Sequence, residues 1–261
     1  MVGLKEHWRY KMADKPKFPS EVIDLPSKGK VYPKDSPLSS GKLEIKYMTA
    51  KEEDILTSQN LIKKGVVIER LLDSLIVTPN VSQNDLILGD KNAVMVAARI
   101  LAYGPEYDAE IVDPDTGEKI EHTFNLADCP FKHLPDGVES NEFEIDLPIS
   151  KHTVKFRLLT GKEEKQIDQE VKSKQKLGSQ VSPELTTRLK YSIISADGET
   201  DRNKIGNFVQ NMLSRDSLVF RNRIAEVSPD IELKQEIDVG GEMVEVDIPL
   251  TINFFWPSTT T

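Results

Sequence analysis

The stretch Thr49-Ala-Lys-Glu-Glu-Asp54 ("TAKEED") returns further along the chain as Thr160-Gly-Lys-Glu-Glu-Lys165 ("TGKEEK"). Both copies follow a short alternating segment, "LEIKYM" in the first case and "VKFRLL" in the second. Leu43, Ile45 and Tyr47, and likewise Val154, Phe156 and Leu158, recur at every second position, the period of a half-buried strand. Thr-x-x-Glu is the pattern of a capping box, in which the threonine hydroxyl and the glutamate carboxylate satisfy amides of the first helical turn. A second glutamate, Glu53 or Glu164, adds negative charge at the positive end of the helix dipole. The phrase therefore predicts a strand running into a helix capped by Thr49 and Glu52, and again by Thr160 and Glu163. Its carboxylates could also be read as a catalytic pair, but no histidine, cysteine or glycine loop accompanies them, and capping accounts for both.

Other matches occur in the same order. "IDLPSK" from Ile23 returns as "IDLPISK" from Ile145, and "RLLDSLI" from Arg70 is echoed by "RLKYSII" from Arg188. A constant offset of 124 places Arg99 on Arg223, Pro105 on Pro229, Gly117 on Gly241, Leu126 on Leu250 and Phe131 on Phe255. Four collinear echoes with apolar positions in phase indicate a tandem duplication, which should be settled before the fold is assigned. The expected organisation is a basic tail over 1–17, repeat units over 18–137 and 138–257, and a short tail over 258–261. Two copies are too few for a solenoid, so a pseudo-twofold pair is expected. The first copy carries a Pro-, Ser- and Gly-rich insertion, Gly29 to Gly41, and the second a polar one, Lys172 to Glu184, both read as loops.

Within a unit the strand is followed by three helices. In the first copy these are the capped helix, a second over Leu61 to Ile76 with Leu61, Ile68, Leu72 and Leu75 on one face, and a third over Asn92 to Tyr103. The third is apolar nearly all round and should be buried; its counterpart is Phe208 to Val227. A hairpin closes each unit, turning at Asp113-Pro-Asp-Thr-Gly117 and at Val239-Gly-Gly241. The predicted class is α+β, a duplicated strand, three-helix and hairpin unit.

The chain has 261 residues, 38% apolar and 30% charged, enough for a substantial core. A net charge of -9 disfavours nucleic acid as a partner, and the basic first 17 residues read as a solvated tail. No apolar run is long enough to span a bilayer, and the first residues lack a secretory apolar region. One cysteine, Cys129, excludes an internal disulfide and suits a reducing compartment. Asp113, Asp115 and Glu118 invite a calcium reading, but Gly117 stands one position early and the segment is a hairpin. His7, His122, His133 and His152 lack ligand spacing, so no metal, no cofactor and no catalytic residue is expected. Arg99 and Arg223, at equivalent helix positions, read as structural ion-pairing residues. The closing aromatics Phe254, Phe255, Trp256 and Pro257 either complete the core or form a partner-docking segment.

In the phrases "IDLPSKGKVYP", "EIKYMTAKEEDILTSQNLIKKG", "GDKNAVMVAARILAYG", "LTTRLKYSIISADGE" and "IPLTINFFWP" the chain resembles the T4-type bacteriophage baseplate hub proteins, including the chaperone-like hub assembly subunit. These phrases extend from Ile23 to Pro257 and carry no catalytic signature. The resemblance implies a non-enzymatic role in building the hub, with other baseplate or tail proteins as partners. It also implies a location in the host cytoplasm during assembly, or in the tail baseplate of the virion. Some members of that family carry Cys-x-x-Cys-Gly knuckles in the two hairpins; here those places hold no cysteine, so structural zinc is not expected. The contrasting readings are a cytosolic protein-binding adaptor unrelated to phage, and an enzyme without a recognisable motif.

Overall fold

The computed structural model describes residues 18–112, 117, 119–176, 182–239, 241–249 and 252–255. Both predicted tails, the acidic residues Asp113, Asp115 and Glu118, and the pair Trp256 and Pro257 lie outside the described residues.

The first half opens with β1 (Ser20–Asp24) and β2 (Lys42–Lys46), followed by α1 (Ala50–Thr57), α2 (Gln59–Lys64), α3 (Val67–Leu75) and α4 (Leu88–Tyr103). It ends with β3 (Glu106–Val112), β4 (Lys119–Asn125) and β5 (Phe131–Lys132). The second half runs through β6 (Phe143–Asp146), β7 (Thr153–Phe156), α5 (Gly161–Lys176), α6 (Glu184–Ser192) and β8 (Ile193–Ala196). It continues with α7 (Arg202–Gln210), α8 (Ser214–Val227), β9 (Asp230–Ile231), β10 (Lys234–Val239), β11 (Glu242–Asp247) and a 3-10 turn over Ile252–Phe255. The protein is thus α+β, with helices packed among small antiparallel sheets of two or three strands.

Each half opens with two strands instead of one, because the "IDLP" segment pairs back on the alternating strand. Ser20 to Asp24 pairs with Lys46 to Lys42, and Phe143 to Asp146 pairs with Phe156 to Thr153. Among the described residues each half also has four α-helices where three are predicted. The apolar stripe over 61–76 is broken at Gly65, whose left-handed backbone (φ 69°) closes α2 with an N–H bond to Ile62 O. Asn211 closes α7: its N–H reaches Asn207 O and Phe208 O, and its side-chain amide donates to Asn207 O at 2.8 Å, dividing the stretch 208–227. Residues 172–176 continue α5 instead of forming a loop.

One continuous cluster of buried apolar side chains draws on both halves, from Leu25, Leu72, Val94 and Phe124 to Phe156, Ile193, Phe220 and Phe254. Backbone pairing joins the halves as well, Phe131 with Ile231 and Lys132 with Asp230. Near the repeated phrase, Ile87 bridges Thr160 and Gly161 N donates to Leu86 O at 2.9 Å. This approach explains the phrase's second letter: a Cβ on Gly161 would stand 2.9 Å from Asn84 Cα, whereas Ala50 begins α1 in the first copy.

Loop 29–41 contains no strand or α-helix, only a 3-10 turn over Pro37–Ser40, and part of it enters the core. Val31, Tyr32 and Leu38 are buried in the core. Arg99 is buried and makes no ion pair among the described residues; its guanidinium donates to Gly104 O and Glu106 O, each at 3.0 Å, so it holds the carbonyls where α4 ends. Arg223 does form an ion pair, with Glu226 at 2.9 Å.

Candidate functional site

The most elaborate polar contacts lie where the two "IDLP" turns meet the starts of α4 and α8. Asp90, the third residue of α4, accepts from Ser27 N at 2.9 Å, Ser27 Oγ at 2.6 Å and the Tyr32 hydroxyl at 2.6 Å. Tyr32 Oη in turn accepts from Ile87 N at 3.1 Å. Burial pushes the Asp90 carboxyl up, although the Ser27 and Tyr32 hydrogen bonds oppose it. Burial and the Asp90 charge also raise the Tyr32 hydroxyl well above its ordinary value, so it remains a donor. Asp216, the third residue of α8, accepts from Ile149 N at 2.8 Å and Ser150 N at 3.0 Å. Burial raises its carboxyl, but donors from Ile149 and Ser150 prevail and hold it below the usual carboxylate range. An acid in the first turn gains from the helix dipole as well. Sequence reasoning missed both aspartates: the "IDLP" echo marked the two segments as repeats, but nothing local connects Ser27 to a residue 63 positions away.

The repeated phrase forms the second pair of sites. Around α1 the capping-box arrangement is present, and the short contacts run to the glutamate. Glu52 Oε2 accepts from Thr49 N at 3.0 Å and Thr49 Oγ1 at 2.6 Å, while Oε1 accepts from Lys46 Nζ at 2.7 Å and Ser74 Oγ at 2.6 Å. Burial alone would raise this carboxyl; the Lys46, Ser74 and Thr49 donors outweigh it and hold it at about 2. At α5, Glu163 Oε2 accepts from Thr160 N at 2.9 Å and from the Thr160 hydroxyl, and Oε1 pairs with Arg157 at 3.2 Å. Of the neighbouring glutamates, Glu164 pairs with Arg188 and Glu53 accepts from the Tyr103 hydroxyl at 3.4 Å.

Of the C-terminal aromatics, Phe254 and Phe255 lie among the described residues. Phe254 and Phe255 are buried, and Phe254 stands edge-on to Tyr107, with ring centres 5.2 Å apart. Tyr107 also donates to Pro249 O at 2.8 Å. These two phenylalanines are therefore core residues that join the chain's end to β3, and their rings present no surface to a partner.

A cleft of about 810 Å³ opens between the halves, with Asp85 and Lys162 ion-paired at 2.5 Å in its wall. Arg202, also in the wall, donates to Ile193 O at 2.8 Å and Lys190 O at 2.5 Å. Lys162 and Arg202 are thus engaged within the chain. His152 pairs with Asp197 at 2.5 Å, and His133 Nδ1 lies 3.0 Å from Pro26 O. Cys129 is buried, and burial raises its thiol. Among the described residues there is no group of three or more His, Cys, Asp or Glu side chains placed to hold a metal ion. No helix among them is long and apolar enough to cross a membrane.

These features define an α+β protein whose buried polar groups tie turns to helix ends. Residues 19–238 match the family described as T4 bacteriophage base plate protein, and the chain belongs to that family. Membership points to a structural role in the phage tail baseplate, among other tail and baseplate proteins. The comparisons with curated proteins and with solved structures give no match.

Proposed function

We propose that the chain acts in building the baseplate hub, as an assembly factor or as a hub subunit, without catalysing a reaction. The observation that carries this reading is the family match over 19–238, which reaches into both halves. The engagement of Glu52 by four donors supports it, since a carboxylate so held is an anchor and has no free lone pair directed at a substrate. We further propose that residues 18–137 and 138–257 are tandem copies arranged as a pseudo-twofold pair. Supporting this, among the described residues each half opens with an antiparallel strand pair and reaches a hairpin after its helices, the second half adding β8 between α6 and α7. In addition, the carboxylates of Asp90 and Asp216 both clasp an "IDLP" turn. During assembly the chain would work in the host cytoplasm.

Mass spectrometry of purified virions beside a lysate of phage-producing cells tests the role. A hub subunit is expected in both samples; an assembly factor is expected with hub intermediates in the lysate and to be depleted from virions. Absence from hub intermediates and virions alike would overturn the reading.

A further inference from the structure

A cleft of about 200 Å³ opens where α5, α6 and α7 meet, with Lys174, Thr187, Lys190, Arg202, Asn203 and Gln210 in its walls. Among the described residues no carboxylate lines it, although the chain as a whole carries a net charge of -9. Two of its ammonium groups share a single acid: Lys174 and Lys190 both reach Glu170 Oε1, at 2.8 and 3.2 Å. An ammonium has three N–H donors, so both lysines keep donors after Glu170 is served. Arg202 is held by the carbonyls of Ile193 and Lys190, which are neutral, so its charge has no counterion among the described residues. The acid beside it in sequence, Asp201, is turned to α7 and accepts from Asn203 N and Lys204 N, each at 3.0 Å. Three cations thus face one shared carboxylate. Thr187, which also lines the cleft, is 1% exposed, and its Oγ1 has no hydrogen-bond partner among the described residues. A buried hydroxyl left unpaired is costly, so its proton calls for an acceptor. In the "RLLDSLI" and "RLKYSII" echo, Lys190 stands at the place of Leu72, which is packed in the core. The ammonium group is therefore particular to the second half.

We propose that this cleft binds a small oxyanion of the phosphate class. Its oxygens accept from the remaining N–H donors of Lys174, Lys190 and Arg202, and from the Thr187 hydroxyl. At about 30 Å³ per water molecule, the cleft holds such an ion with part of its hydration. A phosphate matches the site better than a carboxylate does, because it brings more acceptor oxygens and up to two negative charges to donors on three helices. Once bound, it ties the last turn of α5 to α6 and to the first turn of α7, an attachment additional to the hub role proposed above and independent of it.

The test titrates the isotope-labelled full chain with inorganic phosphate at constant ionic strength and follows the amide resonances of Thr187 and Asn203. Saturable shifts are expected at both. Lys174→Gln should weaken binding about tenfold, the loss of one charge-assisted hydrogen bond, while Lys190 still holds Glu170. Thr187→Val should weaken binding about fivefold and leave the thermal midpoint in phosphate-free buffer no lower than the parent's, because the hydroxyl has no partner to lose. Lys172→Gln, at an exposed lysine of α5 outside the cleft, should change the affinity by less than about twofold. Glycerol phosphate in place of phosphate separates the two sources of the group. Tighter binding of the ester assigns a phosphorylated molecule, tighter binding of phosphate assigns the free ion, and either sustains the site. Shifts that do not saturate, an equal loss in Lys172→Gln, or acetate binding as tightly as phosphate would overturn the proposal. A fall in the Thr187→Val midpoint without phosphate would overturn it too, since the hydroxyl would then be engaged within the chain.

Discussion

Glu52 and Glu163 close the same four-residue phrase, and each accepts from the backbone and hydroxyl of its threonine, yet they occupy different surroundings. The Glu52 side chain is fully buried, with Lys46 and Ser74 on its second oxygen. Glu163 is 19% exposed and has the more exposed Arg157 there. Ser192, the counterpart of Ser74 in the "RLKYSII" echo, donates instead to Arg157 O at 2.8 Å. One phrase thus makes the same local bonds twice, while the tertiary surroundings decide how much each pair of bonds contributes. The equal effects that the repeat alone predicts should therefore not be found.

The largest effect is expected from breaking the buried pair. Glu52→Ala leaves Lys46 nearly buried without its partner, which should destabilise the fold by about 3–5 kcal/mol. Glu163→Ala removes a partly solvated pair and should cost about 1 kcal/mol. Denaturant melts of the two variants decide the matter, and equal losses would show that burial at Glu52 is immaterial.

Acid sharpens the same contrast. Glu52 is held at about 2 against an ordinary 4.5, so folding favours its ionised form. Its contribution is complete above pH 4.5 and is lost as pH falls toward 2. Glu52→Gln should flatten that limb of the stability curve relative to the parent chain. Melts at a series of pH values check this.

The junctions between the halves supply the next comparison. A Cβ on Gly89 would stand 1.8 Å from Pro229 O, so Gly89→Ala must push α4 off β9, at a cost of about 1–3 kcal/mol. Arg215, at the same place before Asp216, carries a Cβ already, and Arg215→Ala should change the thermal midpoint little.

Tyr32→Phe removes one donor to Asp90 and the acceptor for Ile87 N, and should cost about 1–2 kcal/mol in a denaturant melt. The smallest changes are expected from Thr49→Ala and Thr160→Ala, about 1 kcal/mol each. Thr49→Ala should be the larger of the two, because its hydroxyl is one of the donors that keep the buried Glu52 ionised. In a Glu52→Ala background, Thr49→Ala should lose most of its effect, which a double-mutant cycle would read directly.

Several features were legible in the sequence because they depend on neighbours along the chain. The period of two in "LEIKYM" and "VKFRLL" gave β2 and β7, and Thr-x-x-Glu gave the starts of α1 and α5. The hairpins β3–β4 and β10–β11 lie on either side of their predicted turns. Other features depend on contacts between distant residues, which no local pattern records. Asp90 and Asp216 face their turns across 63 and 67 positions, and Tyr32 leaves a loop of surface composition to cover a buried carboxylate. Phe254 and Phe255 read equally well in sequence as anchor or core; the fold buries both and sets Tyr107, far away in sequence, edge-on to Phe254. The sequence alone determined β2, β7, the starts of α1 and α5 and the class α+β, since hydrogen-bonding period and capping act over a few residues. Only the tertiary structure decided which carboxylates are buried and which donors hold them, because burial and desolvation depend on what the rest of the chain brings alongside.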